Sequence, residues 1–188
     1  MSGPARPQPG IGLPGGFSLR RWTPSDAPGL FTAQQEPLVR HYSGLLLDDQ
    51  SQALATVQRY ACVWELGDGA AWAVSDGGGS VLGALRFGLV DRTLGLGSVG
   101  YWLLPELRGR GLATMSVRQG SRIVFDRLGW HRIELYHSRE NERSCAVARR
   151  SGYPLEGVKR QAVHHPSDGR WSDEHLHARL AGDPQPTG

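Results

Sequence analysis

The sequence predicts a single mixed α/β domain on a largely antiparallel sheet, and three observations carry that prediction. Short stretches that alternate apolar and polar residues, bounded by turn signals, recur along the chain. One long segment, Leu112 to Leu128, carries a helical stripe instead. The length of 188 residues fits one ordinary domain and is too short for two full ones. Helices fall early and in the middle of the chain, with strands between them and at the end, which is the order of a mixed layer architecture.

The elements follow in order. Met1 to Gly16 is rich in Pro and Gly and reads as a flexible tail, as does Gly182 to Gly188, leaving 17–181 as the domain. Phe17 to Trp22 alternates as a first strand. Thr23-Pro-Ser-Asp26 is a helix-entry signal with Ser25 or Asp26 as cap, and a helical region follows to about His41. Ser51 to Tyr60 spaces apolar residues as a second helix. Ala70 to Ser75 and Val81 to Val90 are strands joined at Asp76-Gly-Gly-Gly79, and Ser98 to Leu104 is another. In Leu112 to Leu128, Ala113, Val117, Gly120, Val124 and Leu128 form one inward stripe, with Gly129 placed as C-terminal cap. Arg132 to His137 alternates as a strand, and Asn141 caps a short helix to Ser151. Leu155 to Val163 and Glu174 to Leu180 form a final strand pair across Asp168-Gly169.

Composition removes several classes. A hydrophobic fraction of 39% and a charged fraction of 21% are ordinary for a globular chain. No apolar run approaches the roughly 18 to 20 residues that span a bilayer, and the first residues lack the apolar core of a signal peptide. Cys62 and Cys145 form no disulfide framework and no zinc spacing. A soluble, reduced, cytoplasmic protein without a membrane partner is expected. Alternation puts His175 and His177 on one face, but no carboxylate or Cys completes a set, so these residues with His164-His165-Pro166 read as a hairpin with incidental histidines and no metal is expected.

The net charge of +3 is unevenly spread. Residues 105–150 hold ten arginines against five acids, whereas the segments on either side are each slightly acidic. Guanidinium suits phosphate because its planar fork binds two oxygens at once. Nucleic acid is not the expected partner, since interleaved aromatics and a binding motif are missing from this segment. Within it, Arg108-Gly-Arg-Gly-Leu-Ala113 lies between a strand and the best helix. Its glycines permit a tight turn, and its N–H groups with those of the helix start make an anion site suited to a diphosphate. No Gly-Lys-Ser or Gly-Lys-Thr follows, which excludes a Walker loop.

Gly100-Tyr-Trp-Leu-Leu-Pro-Glu-Leu-Arg-Gly-Arg-Gly-Leu-Ala113 resembles the pyrophosphate loop of the GNAT superfamily of N-acetyltransferases, with Arg108, Gly111 and Ala113 on its pattern. Trp130-His-Arg-Ile-Glu-Leu135, Asn141-Glu-Arg-Ser144 and Gly152-Tyr-Pro-Leu-Glu-Gly-Val158 look like the branch that acetylates ribosomal-protein N-termini (the RimJ/RimL-like branch), as does Leu19-Arg-Arg-Trp-Thr-Pro-Ser-Asp26. The resemblance implies a twisted sheet of about seven strands, helices on both faces, and a V-shaped cleft. It also implies an acetyl-CoA-dependent transfer of acetyl to a primary amine, a protein N-terminus or a small molecule, by direct attack in a ternary complex. A non-catalytic acyl-CoA-binding module and a transferase of another acyl group, such as succinyl, are the alternatives.

Acetyl-CoA would lie between the strand at Val99 to Leu104 and the strand at Ile133 to His137, its pantetheine against the backbone edge at Leu103 and Leu104. The diphosphate would rest on the N–H groups of Arg110, Gly111, Leu112 and Ala113, with Gly109 also at the cofactor, and Arg108, foremost among Arg108, Arg143, Arg149 and Arg150, would meet a phosphate. The same arginines could be a solvated basic face. A backbone N–H near Tyr101 or Trp102 would stabilise the oxyanion. Asn141 would cap its helix and touch pantetheine, and Ser144 would hydrogen-bond or protonate the departing thiolate, with Tyr153 as second choice. Glu134 could face the cleft as a base or simply pair with an arginine. Related enzymes commonly carry Glu where Ser98 stands here, which leaves Glu134, Asp91, His137, a water chain or an amine that needs little help. The resemblance leaves a homodimer open.

Overall fold

The computed structural model describes residues 7–43, 45–165 and 169–186. An eight-stranded sheet runs in the order β1-β2-β3-β4-β5-β6-β8-β7. Its strands are β1 (Ile11–Gly12), β2 (Ser18–Arg21), β3 (Gly69–Ser75), β4 (Val81–Asp91), β5 (Leu96–Leu103), β6 (Arg132–Ser138), β7 (Leu155–His164) and β8 (Trp171–Leu180). Every neighbouring pair is antiparallel except β5 with β6. The helices are α1 (Ala27–Ala33), α2 (Pro37–Tyr42), α3 (Gln50–Cys62), α4 (Leu112–Ile123) and α5 (Glu142–Arg150).

The expected tail is where sequence and structure differ most. Residues 1–6 lie outside the described set, but Gln8 is buried and donates to the Ala71 carbonyl at 2.8 Å. Trp72 Nε1 donates to the Pro9 carbonyl at 2.7 Å, and Ile11 pairs with Leu19, which makes β1 an eighth strand. Two backbone-directed side-chain bonds and an edge strand thus hold a segment whose composition alone predicts freedom. At the other end, Gln185 accepts from Arg179 at 3.1 Å. The expected Asp168-Gly169 turn falls partly outside the described residues.

Both faces of the sheet are covered around β3, which is why every residue of that strand is buried. On one face Trp72, Val74, Leu85, Phe87 and Val99 meet α4 and α5; on the other, Ala71, Ala73 and Ala84 meet α1 and α3. The helical region after Asp26 divides in two, because Pro37 starts a new helix capped by Glu36, whose carboxylate accepts from the Val39 N–H at 2.7 Å. Before α1, the entry turn is closed by Asp26, which accepts from the Thr23 N–H at 2.8 Å and pairs with Arg20. Burial raises the Asp26 pKa, but Arg20 and Thr23 outweigh it and hold the carboxyl below its usual range.

The α4 stripe is placed as its spacing requires. Val117 and Val124 are fully buried, and Ala113 and Leu128 pack against the same cluster. The last five residues of the expected helix, Val124–Leu128, widen into a π turn before Gly129 ends it at φ 67°. Gly120 sets the distance between α4 and the sheet: a Cβ there would stand 2.6 Å from Phe87 Cε2 and 2.7 Å from Leu85 Cδ2. Gly120→Ala would gain about 1 kcal/mol in helix propensity but force an overpacked contact costing about 1–3 kcal/mol. A net loss of stability is expected, read as a lower urea midpoint; a higher midpoint would show that α4 is not seated on these rings.

Candidate active site

The site begins where two strands part. β5 and β6 pair in parallel only from Leu96 with Arg132 to Val99 with Leu135. Beyond that point β5 follows β4 as far as Leu103, and β6 follows β8 as far as Ser138. The gap opens a cleft of about 1160 Å³ that runs from the α4 N-terminus through to the side of α2 and α3.

Strand alternation decides which backbone groups face this gap. The Leu104 N–H donates to the Leu82 carbonyl at 2.9 Å, so the polar groups of Trp102 and Gly100 also point toward β4. Those of Tyr101 and Leu103 therefore point the other way, into the gap. Of the two N–H groups expected for an oxyanion, only that of Tyr101 faces the gap; the Trp102 N–H is turned toward β4, and the residue lines the cleft as a wall. Leu104 is likewise corrected, since its N–H is used by β4 and its side chain lines a separate depression beside α1.

Gly109 and Gly111 both take φ near +77°, at +77° and +76°. A Cβ at either position would meet nothing within 4 Å, so the turn forms an open cradle. Gly111 is the N-cap of α4, and the first helical bond runs from the Met115 N–H to the Gly111 carbonyl at 3.0 Å. The N–H groups of Leu112, Ala113 and Thr114 consequently have no partner within the helix. All three residues line the cleft with Gly109 and Gly111, whereas Arg110 does not. Thr114 escaped the sequence reading, though its place in the first turn marks it.

Arg108 is held differently from expectation. Its Nε donates to the Leu103 carbonyl at 3.0 Å and its Nη2 to Glu36 at 2.9 Å. Burial raises the Glu36 pKa, yet the Val39 N–H and Arg108 together keep that carboxyl below its usual range. The guanidinium thus ties the glycine loop to α2 through two of its nitrogens, while the residue also lines the cleft. Arg143 and Arg150 line the cleft with no ion pair among the described residues.

Near the point of divergence, Tyr101 Oη and Ser144 Oγ are 2.8 Å apart. Asn141 caps α5 by accepting the Ser144 N–H at 3.1 Å, which fixes Ser144 in the first turn. Burial pushes the Tyr101 pKa up to about 12, so the phenol stays protonated. The sequence reading gave Ser144 and missed this partner, because residues 43 apart show no shared period. Tyr153 is not part of the cleft: it is fully buried, its hydroxyl 2.7 Å from Ser121 Oγ.

Two of the three carboxylate and imidazole substitutes for a base are also placed elsewhere. Glu134 pairs with Arg132 at 2.9 Å and accepts from Tyr136, outside the cleft lining. Asp91 closes a turn by accepting from the N–H groups of Thr93 and Leu94. His137 does line the cleft, and burial holds it below the ordinary histidine range. Ser98 lines the cleft as well, on the sheet face shared with Arg86 and Tyr136. The expectation that no cysteine completes the histidine set fails in three dimensions, since Cys145 of α5 meets His137, His175 and His177.

Comparison with known proteins agrees with this geometry. Residues 17–154 match the acetyltransferase (GNAT) domain family. An uncharacterized N-acetyltransferase of Bacillus subtilis, YoaA, is 26% identical over 148 residues, covering 78% of this chain and 84% of that protein. The crystal structure of a ribosomal-protein-alanine acetyltransferase from Vibrio fischeri superimposes with a TM-score of 0.83 at 18% identity, over 95% of this chain and all of the other. The microcin self-immunity acetyltransferase MccE, solved with acetyl-CoA and AMP, gives 0.76 at 18% identity, over 88% of this chain and 93% of its own. The match spans most of the chain and takes in the parted strands and the open loop: the protein belongs to the GNAT family and is an N-acetyltransferase.

Proposed function

We propose that the protein transfers the acetyl group of acetyl-CoA to a primary amine, with a protein α-amino terminus or a small amine of low pKa as acceptor. The parting of β5 and β6 carries this reading, because it leaves the N–H groups of Tyr101 and Leu103 turned toward an open cleft. Acetyl-CoA supplies the activated thioester. The N–H groups of Leu112, Ala113 and Thr114, with Gly109 and Gly111 giving close approach, suit its diphosphate. Arg143 and Arg150 are the cations free to meet phosphate, and Asn141 lines the wall that pantetheine would follow.

The Tyr101 N–H is aimed to stabilise charge on the thioester oxygen as the amine nitrogen bonds to the carbonyl carbon. When the carbon–sulfur bond breaks, Ser144 donates its proton to the sulfur, Tyr101 at 2.8 Å passes its own to Ser144, and a proton from solvent restores the Tyr101 phenol. The proton lost by the amine leaves through solvent, as Ser98 cannot accept it near pH 7. An α-amino group with a pKa of about 7.7–8.0 is about one-tenth neutral at pH 7, whereas a lysine at about 10.4 is neutral about once in several thousand. The absence of a carboxylate at position 98 therefore penalises lysine far more than a terminus. The acceptor would enter from the α2 side, where Leu38, Tyr42, Tyr60, Arg86 and Trp102 line the cleft.

Acetyl-CoA should raise the thermal midpoint by binding only the folded state, and Gly111→Asp should remove that shift by placing a carboxylate and a strained φ in the cradle. A retained shift would overturn the loop assignment. Ser144→Ala and Tyr101→Phe should each lower kcat, by up to about 100-fold, while acetyl-CoA affinity stays nearly unchanged; equal turnover would assign the proton to water. Arg108→Gln should destabilise the ligand-free protein by about 1–3 kcal/mol, since it strands the Glu36 carboxylate and the Leu103 carbonyl. Unchanged ligand-free stability with lost cofactor affinity would instead make Arg108 a phosphate ligand. The reactive amine is the deprotonated form, so kcat/KM should rise with pH up to the acceptor's own pKa. A plateau from pH about 6–7 for every acceptor, including lysine, would reveal an enzyme base.

A further inference from the structure

On the sheet face beneath α5, four side chains from three elements converge. His137 of β6 stands directly opposite His175 of β8, and His177 lies two residues along on the same face, opposite Leu135. Cys145, in the second half of the first turn of α5, closes over them from above. One nitrogen from each imidazole and the Cys145 sulfur all lie within 4.8 Å of one another. We propose that His137, Cys145, His175 and His177 form a four-coordinate site for a divalent transition metal of the zinc class.

Three features distinguish this cluster from histidines that happen to be neighbours. His137 Nδ1 is 2.8 Å from the Ser138 carbonyl and His177 Nδ1 is 3.0 Å from the Tyr153 carbonyl. A carbonyl can only accept, so each ring carries its proton on Nδ1 and turns the Nε2 lone pair inward. Fixing the tautomer of a ligating histidine through a backbone carbonyl is what metal sites do. Next, His137 Nε2 and His175 Nδ1 are buried with no hydrogen-bond partner. Buried polar atoms are seldom left so, and coordination would satisfy both. Finally, Cys145 Sγ and His177 Nε2 are 3.8 Å apart. Around a tetrahedral zinc, with Zn–S about 2.3 Å and Zn–N about 2.0–2.1 Å, sulfur and nitrogen stand about 3.6 Å apart. The remaining ligands would close in by about an ångström, within the reach of side-chain rotation.

The donor set selects the metal. Three imidazoles and a thiolate suit zinc or cobalt in a tetrahedral field and offer nothing to magnesium or calcium, which take oxygen. On binding, the Cys145 thiol releases its proton to solvent, while the neutral imidazoles coordinate through lone pairs. Four protein ligands leave no open position, so the ion would act as a structural tie. The tie joins β6, β8 and α5, and Cys145 immediately follows Ser144; the ion would therefore fix the helix that carries Ser144 against Tyr101.

The test is cobalt titration of the full-length protein stripped of metal by chelator, with zinc competition and metal analysis after dialysis. Wild type should bind a single equivalent at micromolar cobalt, show the intense visible bands of a tetrahedral ion with thiolate-to-metal charge transfer, and lose them to zinc. Zinc should also raise the thermal midpoint. In Cys145→Ala the charge-transfer band should vanish, and both Cys145→Ala and His177→Gln should weaken binding by more than about 100-fold, the upper range for loss of an outer partner alone. Circular dichroism of the metal-free variants confirms that they fold, and His175→Gln serves if either does not. Absence of binding at micromolar metal, a weak six-coordinate spectrum, or an undiminished affinity in folded variants would each overturn the site.

Discussion

Everything functional in this molecule depends on β5 and β6 being parallel neighbours for only four residues. A sheet normally satisfies its backbone polar groups within itself. Here the pairing stops at Val99 and Leu135, and the two strands are then held apart by their outer neighbours, β4 and β8. The gap exposes the N–H groups of Tyr101 and Leu103 to whatever enters it. It also brings the first turns of two helices, α4 and α5, to the same opening. A cleft with donors on one wall and helix N-termini at its end is matched to a ligand with an amide-bearing arm and a diphosphate.

Arg108 illustrates how a motif residue can also serve the frame of the site, since it lines the cleft and is tied to the protein at the same time. Its position in the loop suggests phosphate binding, but its guanidinium spans from the Leu103 carbonyl to Glu36. In doing so it couples the edge of β5 to the N-terminus of α2, and hence two ends of the cleft to each other. The backbone N–H groups at the start of α4 stay open to the cleft, in a turn whose geometry is set by the left-handed Gly109 and Gly111. Rigid donors of this kind need no side-chain ordering when the ligand arrives.

The sequence is most legible where local pattern and tertiary role coincide. The α4 stripe, the Gly129 stop, the Asn141 cap and the glycine loop were all readable, because each is determined by residues a few positions apart. The antiparallel sheet was readable for the same reason. What was not readable depends on residues far apart in the chain. β1 exists because Pro9 and Gln8 bond to β3, more than sixty residues away. Tyr101 meets Ser144, and Cys145 meets His177, only once α5 is laid on the sheet. Alternation did place His175 and His177 on one face, but nothing in the spacing reveals that a cysteine thirty residues earlier covers them. Glu134 shows the converse, since its strand phase is as predicted while its charge is already taken by Arg132.

Amide hydrogen exchange resolved to single residues, with and without acetyl-CoA, tests the central claim most directly. Acetyl-CoA should slow exchange at Tyr101, Leu103, Leu112, Ala113 and Thr114, whose N–H groups face the cleft, and leave Gly100 and Trp102, already bonded to β4, nearly unchanged. Protection that is absent from Tyr101 and Leu103, or that falls equally on their neighbours, would contradict the account of the parted strands as the cofactor's binding edge.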